Sequence, residues 1–444
     1  DYVSFIGFEV KNSNGMCVIL SGQHDKAGKI LAHHAQENGV LVSGDYGIAE
    51  DCVVWQCDRS NSANPGSIGH GWSTGISAAR SPVDGITTNA ILRRNIAYNN
   101  WGEGISSFEA EGTLIEDNIT YDNWSVNLYV SDTRNALIQR NIVYNTPNNI
   151  VGERRPLTLG DERSDKPRSA NNTVINNFIY NADLWAFWST GVPGSGLDNV
   201  LIAHNTIVNG QLQVGASLED AAYNTSGTIC NNIFINDNGN PWQIMGTLDR
   251  ISFSHNLWSK APPNELSGAG DVIGNPLLFE TNGLGSGKLT AEYFKLQETS
   301  PAINSGIPMD VVQQDFFSTP RDSKPDIGGF EYVAPTGIDD ITVSDTDDTD
   351  ITDPDTISDA DSQDPVDTAI VVVNSMICLH PSKYNAFSRL SLYSMQGVPV
   401  ITRNLTDNLN IDASSLPPGI YILVLSGKTS HKKLIEHKKL IMID

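Results

Sequence analysis

Hydrophobic and polar positions alternate in short runs along the first part of the chain, and each run ends near an asparagine. The clearest copies begin at Ile91, Leu114 and Leu137, and each consists of two apolar residues, two polar residues and then Asn-Ile-x-Tyr. Alternation places every second side chain on one face of a strand, and no helical period is present. The pattern therefore predicts short β-strands separated by turns.

The runs recur at a nearly constant spacing, which predicts a solenoid. Seven anchor asparagines are 23, 23, 36, 28, 27 and 24 residues apart: Asn95, Asn118, Asn141, Asn177, Asn205, Asn232 and Asn256. A period near 23 with β-branched residues is typical of one coil of a β-solenoid, in which neighbouring coils cover each other's backbone edges. We expect these asparagines to stack as an internal amide ladder, and we assign them a structural role.

The period, the asparagine ladder and the Asn-Ile-x-Tyr turns resemble right-handed parallel β-helix proteins of the pectate-lyase-like superfamily. The resemblance covers about residues 1 to 260 and implies an all-β fold built on a right-handed parallel β-helix, in a superfamily of lyases, hydrolases, epimerases and adhesins. Residues 271–332, which include Gly274-Asn275-Pro276, resemble the closing segment of bacterial extracellular β-helix proteins. We expect a single β-helix domain over residues 1–333.

Charge and composition narrow the classes of function. The chain carries 28 Lys and Arg against 52 Asp and Glu, a net charge of −24, which is a poor match for nucleic acid. No apolar run approaches the roughly 18 residues that a bilayer crossing needs, so we expect no membrane span. Charged residues make up only 18% of the chain, and a surface rich in neutral polar groups suits sugars. The five cysteines lack metal-ligand spacing and are interpreted as small core residues.

The C-terminal quarter predicts a linker followed by a second module. Twelve Asp and no Lys or Arg lie between residues 339 and 367, so residues 334–367 should form an extended acidic linker. Residues 368–444 alternate as short strands around turns and resemble the C-terminal sorting domain of the type IX secretion system, a small β-sandwich. The resemblance implies secretion machinery as a partner, and secretion or attachment to the surface of a bacterial cell. We also expect a monomer, and a natural chain that begins before this sequence, which opens inside a repeat.

Solenoid register converts the sequence into a map of one surface. Residues one period apart should lie about 4.8 Å from each other on neighbouring coils. Adding 23 takes Trp101 to Trp124, Glu109 to Asp132, Asp132 to Arg155 and Glu111 to Arg134, and it gathers one cluster: Trp101, Glu103, Glu109, Trp124, Tyr129, Asp132, Arg134 and Arg155. Stacked rings beside carboxylates and arginines suit the binding and cleavage of a sugar chain. The alternatives are a turn-capping ring stack, a solvated charge ladder and a plain Glu111–Arg134 salt bridge.

Specific roles follow from residue chemistry. We assign catalysis to Glu103, Glu109, Asp132, Arg134 and Arg155, and substrate binding to Trp101, Trp124, Tyr129, His70, Arg154 and Lys166. Arg154 and Lys166 belong to an insertion of about thirteen residues after Asn141, the densest basic stretch of the β-helix. His70 lies in Gly69-His70-Gly71, which resembles a motif of polygalacturonase-type hydrolases, although their paired aspartates and Arg-x-Lys are absent. Glu109 and Asp132, on adjacent coils, form a candidate Ca²⁺ site.

Three functions fit this surface. A polysaccharide lyase would neutralise a uronate carboxylate with arginine or Ca²⁺ and remove the C5 proton, with Arg134, Arg155, Lys166 or Tyr129 as the base. A glycoside hydrolase would instead use paired carboxylates, either a stacked pair or Glu103 with Asp132. A non-catalytic glycan-binding protein would use the aromatic rings alone. The lyase is the first hypothesis.

Overall fold

A computed structural model of the chain describes residues 2–63, 65, 72–81, 85–147, 155–163, 168–189, 194–215, 224–279 and 289–334, and then the backbone of seven strands between 370 and 443. The predicted linker lies outside the described residues except for Ala334. The chain divides into two compact units, Asp1–Asp340 and Ile341–Asp444. Within the described part of the chain, no helix combines the length and apolar character needed to cross a membrane.

The first unit is a parallel β-helix, as the repeat predicts. Each coil contributes a strand to three parallel sheets, here named A, B and C. Sheet A contains Ser4–Ile6, Lys26–Gly28, Ile48–Glu50, Ile91–Arg93, Leu114–Glu116, Leu137–Gln139, Thr173–Ile175, Asp198–Ala203, Ser226–Cys230 and Ile251–Ser254. Sheet B contains Glu9–Lys11, Leu31–His33, Val53–Trp55, Ile96–Tyr98, Ile119–Tyr121, Ile142–Tyr144, Phe178–Tyr180, Thr206–Val208, Ile233–Ile235, Leu257–Trp258 and Val272–Ile273.

Sheet C has the longest strands of the coils and carries five of the predicted site residues: Glu103, Glu109, Tyr129, Asp132 and Arg134. It contains Val18–Leu20, Val40–Val42, Thr74–Ala79, Glu103–Glu111, Leu128–Arg134, Leu157–Asp161, Leu184–Ser189, Leu212–Val214 and Trp242–Ile244, and Thr87–Thr88 pairs with Glu103–Glu111. Two short 3₁₀ helices, Arg59–Asn61 and Ala291–Phe294, interrupt the described loops.

The predicted asparagine ladder is confirmed residue by residue. The side-chain oxygen of Asn118 accepts the backbone N–H of Asn95 at 2.9 Å and its side-chain N–H at 3.0 Å. The same pair of bonds links every later anchor to the next, up to Asn232 and Asn256. Because these amides are buried, the ladder satisfies polar groups that would otherwise be costly at the bend between sheets A and B.

Inward-facing side chains of all three sheets fill the space inside the coils. Ile76, Ile105, Leu128 and Leu157 of sheet C are fully buried in this core. Cys52 and Cys57 are fully buried in this core without disulfides, as predicted, and Cys230 is buried in a separate cluster with Val312. Cys17 is only half-buried, and the side chain of Cys378 lies outside the described residues.

The closing segment covers the outer face of sheet B. Phe294, Leu296 and Ile327 pack with Phe178 and Ile233 in a second apolar cluster. The rings of Phe178 and Phe294 stack with their centroids 4.3 Å apart. The segment thus covers the outer face of sheet B around Phe178.

Hydrogen bonds fix the closing segment to the coils. Arg321 donates to Asn176 Oδ1 at 2.9 Å, and its guanidinium also pairs with Glu331 at 2.9 Å. The backbone N–H of Gly329 donates to Thr206 Oγ1 at 3.1 Å. Burial lowers the pKa of Arg321, while the charge of Glu331 opposes that shift.

The described part of the second unit consists of seven strands that pair in antiparallel fashion. One sheet contains Ile370–Val373, Met376–Leu379 and Asn410–Asp412, and the other contains Phe387–Ser394, Pro399–Asn404, Gly419–Lys428 and Leu434–Ile443. The sorting role of this module stays a prediction.

Candidate functional site

Sheet C presents a row of outward-facing side chains that crosses the coils. Ser106 pairs with Tyr129, Tyr129 with Thr158, and Thr158 with Trp185 in the parallel register. Their neighbours in each strand, such as Leu128 in the Leu128–Arg134 strand, point into the core. The row, here called the floor of the sheet C cleft, has one side chain about every 4.8 Å, and its residues Ser106, Tyr129 and Thr158 are buried.

Tyr129 and Glu162 form a short polar contact on this floor. The Tyr129 hydroxyl donates to Glu162 Oε1 at 2.6 Å. A Cβ atom at Gly160 would lie 2.7 Å from the Tyr129 hydroxyl oxygen, so glycine is needed where the tyrosine leans over the next coil. Burial raises the pKa of Tyr129 well above its usual range, and the negative charge of Glu162 adds to that shift. The pair is placed to share a proton.

Asp132 holds the backbone that carries Glu162. Its carboxylate accepts the N–H of Glu162 at 3.1 Å and the N–H of Arg163 at 2.9 Å, and it also accepts the Ser131 hydroxyl at 2.9 Å. Asp132 has a φ of 49°, and Glu109, one coil earlier, has a φ of 52°, both in the left-handed region that non-glycine residues rarely adopt. The bend directs the Asp132 carboxylate at the loop after Asp161.

Glu103 lies at the start of the sheet C strand Glu103–Glu111, close enough to Tyr129 and Glu162 to interact with them electrostatically. Burial raises its pKa to about 8, the negative charge of Glu162 adds to the shift, and a hydrogen bond from Ser106 opposes it. Burial also raises the pKa of Glu162, and it raises that of the neighbouring Asp58 to about 7. Glu103 is therefore a carboxylic acid at neutral pH and can donate a proton, as general acids with raised pKa values do.

The far edge of the cleft carries a cation. Arg163 lies 3.4 Å from Glu109 and 5.7 Å from the ring centroid of Phe108. Its side chain is 48% exposed, so its charge faces solvent above the floor. Burial raises the pKa of Asp161 to about 6 although the Ser169 N–H stabilises its charged form.

The predicted step from Asp132 to Arg155 is wrong. The insertion after Asn141 lengthens this coil, so Leu128 pairs with Leu157 and Ser131 with Gly160, a step of 29 residues. The position next to Asp132 therefore belongs to Asp161. Arg155 precedes the strand, and its guanidinium carbon lies 5.9 Å from the ring centroid of Trp124.

The ring partner of Trp124 also differs from the predicted one. Among the described residues, Trp124 contacts Trp72, with ring centroids 5.1 Å apart and planes 36° apart. The carbonyl of Trp101, the predicted partner, accepts a hydrogen bond from Asn61. The predicted Glu111–Arg134 pair is confirmed as a salt bridge of 3.2 Å, and its 40% exposure means that it adds little stability.

The candidate Ca²⁺ pair does not fit a cation. The Asp132 oxygens accept two backbone N–H groups and a hydroxyl, and Glu109 faces Arg163. Ca²⁺ takes six to eight oxygen ligands. In the residues that the structure describes, no group of three or more His, Cys, Asp or Glu side chains could hold a metal. His70, Arg154 and Lys166 lie outside the described residues.

Sequence reasoning missed the residues that complete this site: Asp58, Trp72, Gly160 and Glu162. Glu162 directly follows the strand Leu157–Asp161 within the insertion. The signal in the sequence was the run of charged residues Asp161-Glu162-Arg163 at the end of that strand. Asp58 and Trp72 flank a long excursion between two coils, and no period connects them to the cleft.

Replacing Asp132 by alanine is expected to destabilise the β-helix and to weaken activity. The substitution leaves two backbone N–H groups without their acceptor, at about 1–3 kcal/mol each, and so lowers the free energy of unfolding by about 2–6 kcal/mol. Chemical unfolding measures this loss. The Asp132→Asn variant retains an acceptor oxygen and should keep most of the stability. Equal stability of Asp132→Ala and the parent protein would contradict the assigned role.

Comparisons with known proteins bear on the fold. Neither a protein-family model nor a curated protein matches the chain. Among solved structures, pectate lyase Pel9A is similar with 12% identity and a TM-score of 0.47, over 71% of this chain and 73% of that one. The A-module of mannuronan C-5 epimerase AlgE6 from Azotobacter vinelandii has 12% identity and a TM-score of 0.40, over 55% and 59%.

A third similar structure is a tailspike protein of the Acinetobacter baumannii bacteriophage Fri1, a capsular polysaccharide depolymerase. It has 9% identity and a TM-score of 0.37, over 98% of this chain and 64% of that one. These likenesses concern the parallel β-helix and assign no activity to this chain.

Proposed function

We propose that this protein is a carbohydrate-active enzyme that cleaves an acidic polysaccharide by β-elimination in the cleft of sheet C. The observation that carries the proposal is the 2.6 Å hydrogen bond from the Tyr129 hydroxyl to Glu162, beside Glu103 with its pKa raised to about 8. The cleft thus joins a proton-accepting pair to a neutral carboxylic acid.

Elimination needs a base at C5 of the uronate and a proton for the departing oxygen at C4. Tyr129 takes the C5 proton while its own proton passes to Glu162, so the pair gains one proton and changes from a single negative charge to neutral. Glu103 donates its proton to the departing oxygen as the C4–O bond breaks and the C4–C5 double bond forms. Arg163, with its exposed guanidinium, supplies positive charge for the uronate carboxylate, whose neutralisation makes the C5 proton acidic.

Glycoside hydrolysis is the second candidate, and three neighbouring carboxyl groups with raised pKa values favour it. Glu103 would protonate the leaving oxygen, and Glu162 or Asp58 would act as base or nucleophile, since a pair of carboxyl groups performs this reaction.

A panel of polyuronates distinguishes these reactions. Incubation with polygalacturonate, polymannuronate, polyguluronate and glucuronan should yield products with the ultraviolet absorbance of unsaturated ends. New reducing ends without that absorbance would show that the protein hydrolyses the polymer instead of cleaving it by elimination. Binding without either product on the whole panel would favour a glycan-binding protein and contradict the enzymatic proposal.

A further inference from the structure

Two tryptophan rings, one exposed and one half-buried, form a pair at the edge of the cleft where the sheet C strands begin. Trp72 precedes the Thr74–Ala79 strand and Trp124 precedes the Leu128–Arg134 strand. Their ring centroids are 5.1 Å apart, and Trp72 is 56% exposed. Tryptophan side chains are highly buried on average, so a ring as exposed as that of Trp72 is a candidate ligand-binding surface.

A glycine allows the two rings to meet. Gly102 lies between them, and a Cβ atom there would clash with the carbonyl oxygen of Ser73. The absence of a side chain at Gly102 lets the Ser73 backbone pack closely and brings Trp72 to Trp124. The arrangement is therefore built into the coil path.

A positive charge accompanies the rings. The guanidinium carbon of Arg155 lies 5.9 Å from the ring centroid of Trp124. Aromatic faces bind the apolar faces of pyranose rings, and a guanidinium binds carboxylates in a bidentate manner. The two properties together match a sugar that carries a carboxylate.

We propose that Trp72, Trp124 and Arg155, here called the tryptophan platform, bind a uronate unit of the polysaccharide other than the unit that reacts at Tyr129. Trp72 and Trp124 stack against the pyranose ring, and Arg155 pairs with its carboxylate. This inference rests on the proposed function for its substrate class, and the binding site itself does not depend on cleavage.

The platform lies next to the reacting groups without overlapping them. The backbone N–H of Glu103 donates to the carbonyl of Ser73 at 3.1 Å. Ser73 directly follows Trp72 in the chain, so this bond holds Trp72 near Glu103. Tyr129 instead leans over Gly160 towards the loop that carries Glu162. A sugar on the platform would be bound on the Glu103 side of the site, and a chain that reaches both positions would extend beyond a single unit.

Binding measurements in a Tyr129→Phe background test the platform because cleavage is removed. Calorimetry with the four polyuronates named above, and with the carboxyl-reduced form of each, gives the dissociation constants. We expect Trp72→Ala to weaken binding of at least one polyuronate by tenfold or more. Arg155→Gln should weaken polyuronate binding and leave binding of the carboxyl-reduced polymer unchanged.

Tyr46→Ala is the matched control because Tyr46 is also an exposed aromatic residue, 47% accessible, and it stacks on His24 instead of on a platform ring. This variant should bind as the parent does. Parent-like binding by Trp72→Ala, or no binding of any polyuronate to the parent, would overturn the platform. If platform-dependent binding occurs but the native chain cleaves nothing, the platform stands and the proposed catalytic function fails.

Discussion

Replacing Tyr129 by phenylalanine is expected to reduce polysaccharide cleavage by at least about 1000-fold, within the range that a positioned acid or base contributes. The substitution removes only the hydroxyl that donates to Glu162 at 2.6 Å. The ring stays over Gly160, so the shape of the cleft is kept. Steady-state rates of unsaturated-end formation measure the effect.

The same variant separates chemistry from folding. Loss of the hydroxyl leaves Glu162 without this donor, which should lower the free energy of unfolding by about 1–3 kcal/mol. That loss is far too small to unfold a long solenoid. Tyr98→Phe, on the outer face of sheet B, is the control and should retain full activity. A Tyr129→Phe protein with more than a tenth of the parent rate would exclude the tyrosine as the base.

Replacing Glu103 by glutamine is expected to reduce cleavage by about 100- to 10,000-fold, because an amide cannot supply the proton for the departing oxygen. In the parent, the rate should fall as the pH rises through about 8, where Glu103 ionises. On the acid side the rate should fall as Glu162 becomes protonated and can no longer accept the tyrosine proton. Rate profiles against pH for both proteins test this assignment, and a parent profile that stays flat through pH 9 would contradict it.

Glu103 also sets a pH dependence of stability. Its pKa is about 8 when folded against an ordinary value of 4.5, so the folded state binds the proton more tightly than the unfolded state. The resulting contribution to stability is full below pH 4.5 and is lost as the pH rises towards 8. The glutamine of Glu103→Gln is neutral at every pH. The melting temperature of this variant should therefore rise relative to that of the parent as the pH increases from 4.5 to about 8. If the difference in melting temperature between the two proteins were the same at every pH, the Glu103 carboxyl group would have an ordinary pKa in the folded state.

The fold could be predicted because its determinants are local and periodic. The ladder from Asn95 to Asn256 follows from one residue type repeated at nearly one interval, and each rung needs only the next coil. The spacing of 36 residues between Asn141 and Asn177 did not disturb this prediction, because the asparagine itself marks the coil.

The site was harder to predict because it depends on register within that long coil. The extra residues divide between the stretch before Leu157 and the stretch after Asp161, and the sequence gives no rule for this division. Arg155 was therefore placed beside Asp132, and Glu162 was overlooked. Trp72 was missed for a different reason, since it lies in a separate excursion outside any repeat and reaches Trp124 across Gly102.

Folding of the β-helix unit involves two kinds of step, which are the addition of coils and the docking of the closing segment onto them. Rungs of the ladder join residues 23 to 36 positions apart, so coils can add one after another with little loss of chain entropy at each step. Arg321 and Asn176 are 145 positions apart, and Gly329 and Thr206 are 123 apart. Docking of this segment therefore requires coils that already exist, and it is the high-contact-order step of an otherwise local folding process. A chain synthesised from its N-terminus would expose the apolar face around Phe178 until residues 271–332 are complete.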